Sequence, residues 1–145
     1  MKTKTITGFI ALIAIAASVA TLDSCKKYEE GPAFSLRTKK ARLTGDWKIA
    51  SVTNDGNDIT SSFNSNFEWD IEGDGAYTVK AAGSGTNTAN LSGKWKFGED
   101  KDDVYFTDGT TGSEVSYRIT RLKNTELWMK NTASNGSVTY YKLKQ

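Results

Sequence analysis

Groups able to carry a proton, a metal ion or an attacking electron pair are few in this chain. Its 145 residues include no histidine, which removes the commonest general base, the commonest metal ligand and every imidazole-dependent triad. A single cysteine, Cys25, excludes an intramolecular disulfide and a thiolate-clustered zinc site. Two acidic groupings remain. Glu72 and Asp74 resemble a carboxylate pair for glycoside hydrolysis, yet they flank the hairpin sequence Gly73-Asp74-Gly75, where acids are ordinary turn formers. Asp100, Asp102 and Asp103 lack the glycine and distal glutamate of an EF-hand calcium loop. The residues therefore point to no catalytic group, no metal and no cofactor, and the expected protein is not an enzyme.

Aromatic side chains at strand spacing offer a different chemistry, that of binding. Leu43-Thr44-Gly45-Asp46-Trp47-Lys48-Ile49 recurs 48 residues later as Leu91-Ser92-Gly93-Lys94-Trp95-Lys96-Phe97. In both copies Leu, Gly, Trp and the last apolar residue fall at period 2, so one side of a strand is buried. Glycine weakens a strand unless a bend or a close backbone approach needs the space. Phe67, Trp69 and Ile71 alternate with Glu68, Asp70 and Glu72 in the same way. The alternation puts Trp47, Phe67, Trp69, Tyr77, Trp95, Phe97, Phe106 and Tyr117 on one inward face. Such a face either holds a small apolar or sugar-like ligand by stacking and burial or simply fills the core. Trp128 and Tyr141 fall on the opposite parity from their apolar neighbours and are expected outside, where they offer a glycan or protein contact.

The elements that must position these rings are short strands. Ser35 is placed to cap a short helix in which Leu36, Lys39, Lys40 and Leu43 set the pattern, closing one end of the fold. Its Arg37, Lys39, Lys40 and Arg42 read as a solvated face, with anionic lipid as the alternative. Strands are expected over about 46–54, 66–72, 77–81, 91–97, 104–106, 115–119, 127–129 and 138–144. They are separated by turn clusters such as Asn54-Asp55-Gly56-Asn57-Asp58, Gly73-Asp74-Gly75 and Ser134-Asn135-Gly136. Connections this brief join neighbouring antiparallel strands. Eight of them suffice to close an up-and-down barrel and remove the sheet edges. The fold class is all-β, a small eight-stranded antiparallel barrel with a short N-terminal helix; a two-sheet sandwich is the alternative.

The first 24 residues have the parts of an export signal: Lys2 and Lys4, then an apolar run from Gly8 to Ala20 too short to span a bilayer. Leu22-Asp23-Ser24-Cys25 resembles the lipobox of bacterial lipoproteins, with a non-small residue, Asp23, at the second position before the cysteine. The resemblance implies cleavage before Cys25 and lipid on its sulfur; cleavage after Ser18-Val19-Ala20 is the competing reading. The expected organisation is 1–24 signal peptide, 25–42 tether and 43–145 barrel. The net charge is +2 for the whole chain and falls to +1 without the leader's Lys2, Lys4 and Asp23. That balance gives no argument for nucleic acid.

The ordered series Leu43-x-Gly45-x-Trp47, Phe67-x-Trp69-x-Ile71, Gly73-Asp74-Gly75-x-Tyr77, Gly93-x-Trp95-x-Phe97, Tyr117-x-Ile119-x-x-Leu122 and Glu126-Leu127-Trp128-Met129 resembles the lipocalin-like domain of small Bacteroidota lipoproteins. The resemblance covers about Leu43 to Leu143, and implies a lipocalin-like barrel attached to the outer membrane through Cys25. It faces the periplasm or the cell exterior, and Cys25-Lys26-Lys27-Tyr28-Glu29-Glu30 resembles segments that direct surface export. It lacks the later arginine partner and the disulfide of many true lipocalins. The expected function is binding of a small apolar or glycan ligand by a monomer, with the eight inward aromatics as its site. The alternative is a structural or accessory component of an outer-membrane protein complex.

Overall fold

The computed structural model describes residues 36–63, 67–82 and 88–145. Cys25, the leader, Ser35 and most of the tether expected from the sequence lie outside them. Helix α1 (Lys39–Leu43) is followed by β1 (Gly45–Asn54), β2 (Asn57–Asp58), a 3-10 turn at Thr60–Ser62, β3 (Glu68–Ile71), β4 (Ala76–Ala82), β5 (Thr88–Phe97), β6 (Asp103–Asp108), β7 (Glu114–Leu122), β8 (Glu126–Thr132) and β9 (Val138–Lys144). From β3 to β9 each strand pairs antiparallel with the next; β1 lies beside β3, and β9 pairs back onto β1. One sheet closing on itself is a barrel, and the sandwich alternative is excluded. The eight long strands are those expected from the alternation.

The difference lies at β2. Turn-forming residues place Asn57 and Asp58 in a loop, but Asp55 and Gly56 turn through positive φ values of 47° and 83°, which folds the pair back on Asn54 and Thr53. The same Asp55 holds the barrel seam. Its carboxylate accepts from the Ser137 hydroxyl and the Val138 N–H, both at 2.8 Å. Those bonds tie the β1–β2 turn to β9 and hold the Asp55 carboxyl below its ordinary range.

The two Gly-x-Trp copies use glycine for different reasons. Gly45 sits at φ +140°, a conformation L side chains rarely adopt. Gly93 has ordinary torsions, but a Cβ there would run into the Thr107 carbonyl oxygen of β6. A bend explains the first copy and a close backbone approach the second.

Helix α1 seals one end. Thr38, and not Ser35, caps it, its hydroxyl accepting from the Ala41 N–H at 3.1 Å. A helix lying across a barrel end presents half its circumference to the core, so the expectation of a solvated basic face fails at two positions. Arg42 is buried and donates to the Leu122 carbonyl at 2.9 Å, while Lys39 pairs with Asp102 at 3.1 Å. Leu43 is fully buried beneath them. No helix among the described residues is long and apolar enough to cross a membrane.

Candidate functional site

Residues opposite one another on paired strands share a face, and in a closed barrel one face is the interior. Trp47 lies opposite Trp69, Trp69 opposite Val79, Ile71 opposite Tyr77, Trp95 opposite Phe106, and Val104 opposite both Phe97 and Tyr117. All eight aromatics picked out by the alternation therefore lie in or against one core. They do not form a single cup. Phe67, Trp69, Tyr77, Phe106 and Tyr117 make a continuous set of ring contacts. Within it Trp69 stacks on Phe106 at 5.3 Å and 13° and meets Tyr117 edge-on at 5.4 Å. Trp95 and Phe97 form their own edge-to-face pair at 5.3 Å. Trp47 is on the floor, its Nε1 donating to the Leu43 carbonyl at 2.8 Å.

Two rings join the upper set that the sequence did not place there. Tyr141 lies opposite Met129 and Val52, on the inner face with Leu143, and contacts Trp69, Tyr117 and Phe63. The expectation that it points outward is corrected. In Tyr140-Tyr141 either parity offers an aromatic, and Leu143 was the signal that decides between them. Phe63 touches both Phe67 of the segment entering β3, at 5.3 Å, and Tyr141 of β9. Those residues flank β1 on opposite sides, so the Phe63 ring must lie over the inner surface of β1. No periodicity could show this, because Phe63 belongs to a connection.

Two further residues define the mouth at the end away from α1. Leu91 lies opposite the buried Val79, and Val115 opposite the buried Phe106, so both face inward. Yet they are 46% and 43% exposed. Beneath them Trp69 is only 5% exposed, and its buried Nε1 has no hydrogen-bond partner among the described residues. Burial pushes the Tyr117 and Tyr141 phenols up, so both remain neutral hydroxyls at physiological pH. Tyr77 is also raised, by burial first and then by the charge of Asp108. The interior is apolar and aromatic, with a few neutral polar groups.

No family model and no curated protein sequence matches the chain. Among solved structures, it is similar to a lipocalin-like protein from Bacteroides uniformis, with a TM-score of 0.56 at 10% identity, covering 72% of this chain and 98% of that one. The fold is lipocalin-like. An uncharacterized protein from Bacteroides eggerthii is similar to the same extent, with a TM-score of 0.53 at 12% identity over 70% of this chain and 98% of the other.

In this lipocalin-like barrel Asp74, Asp100, Asp102 and Asp103 serve turns and ion pairs, while Glu72 contributes a backbone carbonyl. Asp74 accepts from the Ala76 N–H at 2.8 Å, and the Glu72 carbonyl takes the Trp95 Nε1 at 2.8 Å. Asp100 accepts from the Asp102 N–H, and Asp102 and Asp103 pair with Arg118. Among the described residues no cluster of acids could hold a metal ion. An open cleft of about 560 Å³, lined by Lys96, Phe97, Gly98, Glu99, Asp100, Asp103 and Tyr105, lies outside the barrel at the β5–β6 turn. It shares only Phe97 with the candidate site. Trp128 does face outward, but is half-buried between Arg121 and Lys142.

Proposed function

We propose that this protein is a non-catalytic binding module that takes one small apolar or glycan-like ligand at the open end of its lipocalin-like barrel. The observation that carries the reading is the pair of large apolar side chains, Leu91 and Val115, that face the interior and remain open to solvent above the aromatic set. An eight-stranded barrel is just wide enough to be filled by its own side chains or to hold one small ligand, and the solvent-open rim favours the second. A ligand seated there removes that apolar surface from water. It also supplies an acceptor for the Trp69 N–H, a buried group whose lack of a partner costs about 1–3 kcal/mol. Attachment to an outer membrane through lipid on Cys25 is part of the same proposal, supported by the lipobox-like Leu22-Asp23-Ser24-Cys25.

Two experiments test it separately. Titration with a panel of fatty acids, isoprenoids and oligosaccharides, followed by calorimetry, should find a ligand whose affinity drops about tenfold or more in Leu91→Ser/Val115→Ser. Saturation by none of the panel, or binding indifferent to both substitutions, would sink the binding half. Metabolic labelling with an alkyne fatty acid should mark the wild-type chain and not Cys25→Ser; an unlabelled wild type removes the anchor and leaves the barrel reading standing.

A further inference from the structure

The outer face of β7, β8, β9 and β1 has a charge arrangement that the fold does not require. Outward residues on these strands line up across the sheet in three rows. The first runs Arg118, Lys130, Tyr140, Thr53; the second Arg121, Trp128, Lys142, Ser51; the third Glu126, Lys144, Lys48. Arg118 therefore sits directly opposite Lys130, and Lys144 directly opposite Lys48. Like charges so placed destabilise a sheet. In the middle row both neighbours of Trp128 are cations, with the Arg121 guanidinium carbon 4.5 Å and the Lys142 ammonium 4.3 Å from its ring centre.

Carboxylates neutralise only part of this. Arg121 pairs with Glu126, and Arg118 with Asp102 and Asp103. Among the described residues no carboxylate is in ion-pair contact with Lys48, Lys130, Lys142 or Lys144. The outer sides of these four strands carry the cations Arg118, Arg121, Lys130, Lys142, Lys144 and Lys48 against the acids Glu126, Glu114 and Asp46, with Glu114 at the far end paired to Lys96. The chain as a whole has a net charge of only +2, so positive charge is concentrated on this face. Aromatics are interleaved with it: Trp128 between its two cations, and Tyr140, 43% exposed.

We infer that this face docks onto an anionic lipid surface, its lysines on headgroup phosphates and Trp128 and Tyr140 at headgroup depth. The charge complementarity is direct, and amphipathic aromatics beside cations suit a boundary that is apolar on one side and wet on the other. Position agrees. Gln145, next to Lys144, donates from its side chain to the Thr44 carbonyl at 3.3 Å, so the basic face adjoins the point where the N-terminal chain joins the barrel. From Cys25 to α1 the chain can reach at most about 50 Å. This placement of the bilayer rests on the proposed lipid at Cys25; the charge argument does not.

The test uses the Cys25→Ser chain, which has no site for the lipid, with and without Lys130→Glu/Lys142→Glu/Lys144→Glu. Both chains keep the same leader, so its contribution cancels. Co-sedimentation is measured with vesicles of pure phosphatidylcholine and with vesicles containing about 30% phosphatidylglycerol. The expected result is binding to the anionic vesicles that weakens as salt rises from about 50 to 300 mM and falls about 100-fold in the triple variant. Brominated lipid should quench tryptophan fluorescence in the parent and much less in Trp128→Phe, a readout that survives if the triple variant folds poorly. No loss of anionic-vesicle binding on charge reversal, the comparison in which the shared leader cancels, overturns the inference. So does retention on an anionic polysaccharide without vesicle binding, which would assign the face to a glycan. Because no lipid is present on either chain, failure here is distinct from failure of the lipidation reading.

Discussion

The two ends of the barrel treat the same kind of residue differently. At the closed end Trp47 is fully buried and its indole N–H is bonded to Leu43, while α1 lies across it with Arg42 tied to Leu122. Toward the open end Trp69 is buried almost as well, but its N–H has no partner among the described residues, and the apolar side chains above it, Leu91 and Val115, stand open. Trp47 and Trp69 are direct cross-strand neighbours, so the change occurs within one side-chain layer. The large majority of buried polar groups in folded proteins are satisfied; among the described residues the exceptions include Arg42 Nε at the closed end as well as Trp69 Nε1. What sets the Trp69 gap apart is the uncovered apolar rim beside it, Leu91 and Val115, and the two together mark the part of the barrel left for something else to complete.

The largest effect should come from emptying the closed end. Trp47→Ala removes a fully buried indole from a site held rigid by α1, and should cost about 3–5 kcal/mol in chemical denaturation. If the loss were under about 1 kcal/mol, the closed end would not be the structural half of the molecule. The sharper comparison uses phenylalanine. Trp47→Phe leaves the buried Leu43 carbonyl without its donor, a loss of about 1–3 kcal/mol. Trp69→Phe deletes an N–H that bonds to no described residue and keeps a ring on Phe106, so it should cost less than Trp47→Phe. Equal losses would mean that the Trp69 N–H has a protein partner after all.

The open rim should respond least in stability and most in binding. Leu91→Ser and Val115→Ser remove exposed apolar atoms, and each should change unfolding free energy by no more than about 0.5 kcal/mol. A stability loss above about 2 kcal/mol at either position would show that the rim is ordinary core.

Most of the barrel could be read from period 2 because its strands have one buried face, as in Phe67-Glu68-Trp69-Asp70-Ile71. Elsewhere that rule has no purchase. β1 carries a register shift between Ile49 and Ser51, and β7 one between Ile119 and Arg121; an extra residue at such a point flips the parity of the rest of the strand. Tyr140-Tyr141 offered an aromatic to each face, and Phe63 reaches the interior from a connection. The half-burial of Trp128 comes from two cations on neighbouring strands, which only register brings together. The mouth was illegible for another reason: Leu91 and Val115 have the right parity for core, and only the closed sheet shows how much of each stays open to solvent.

The smallest expected effect concerns the outer surface near the closed end, where the fold works against itself. Asp70 on β3 lies directly opposite Asp46 on β1. Partial burial raises the Asp70 carboxyl above its ordinary value, and the charge of Asp46 adds to the shift. An acid with a raised pKa in the folded state binds its proton more tightly there than in the unfolded chain. Its favourable contribution is therefore present when protonated at low pH and is lost as pH rises through the raised value. At neutral pH the ionised pair is a cost, and Asp70→Asn should raise the melting temperature, by an amount on the scale of other surface changes. The advantage should shrink as pH falls through the Asp70 titration, when the wild-type carboxyl takes up its proton. Melting curves of both proteins from neutral pH to about pH 3 decide it. An Asp70→Asn protein less stable than wild type at neutral pH would show that this carboxylate, like that of Asp55 at the seam, is held by bonds that favour its charge.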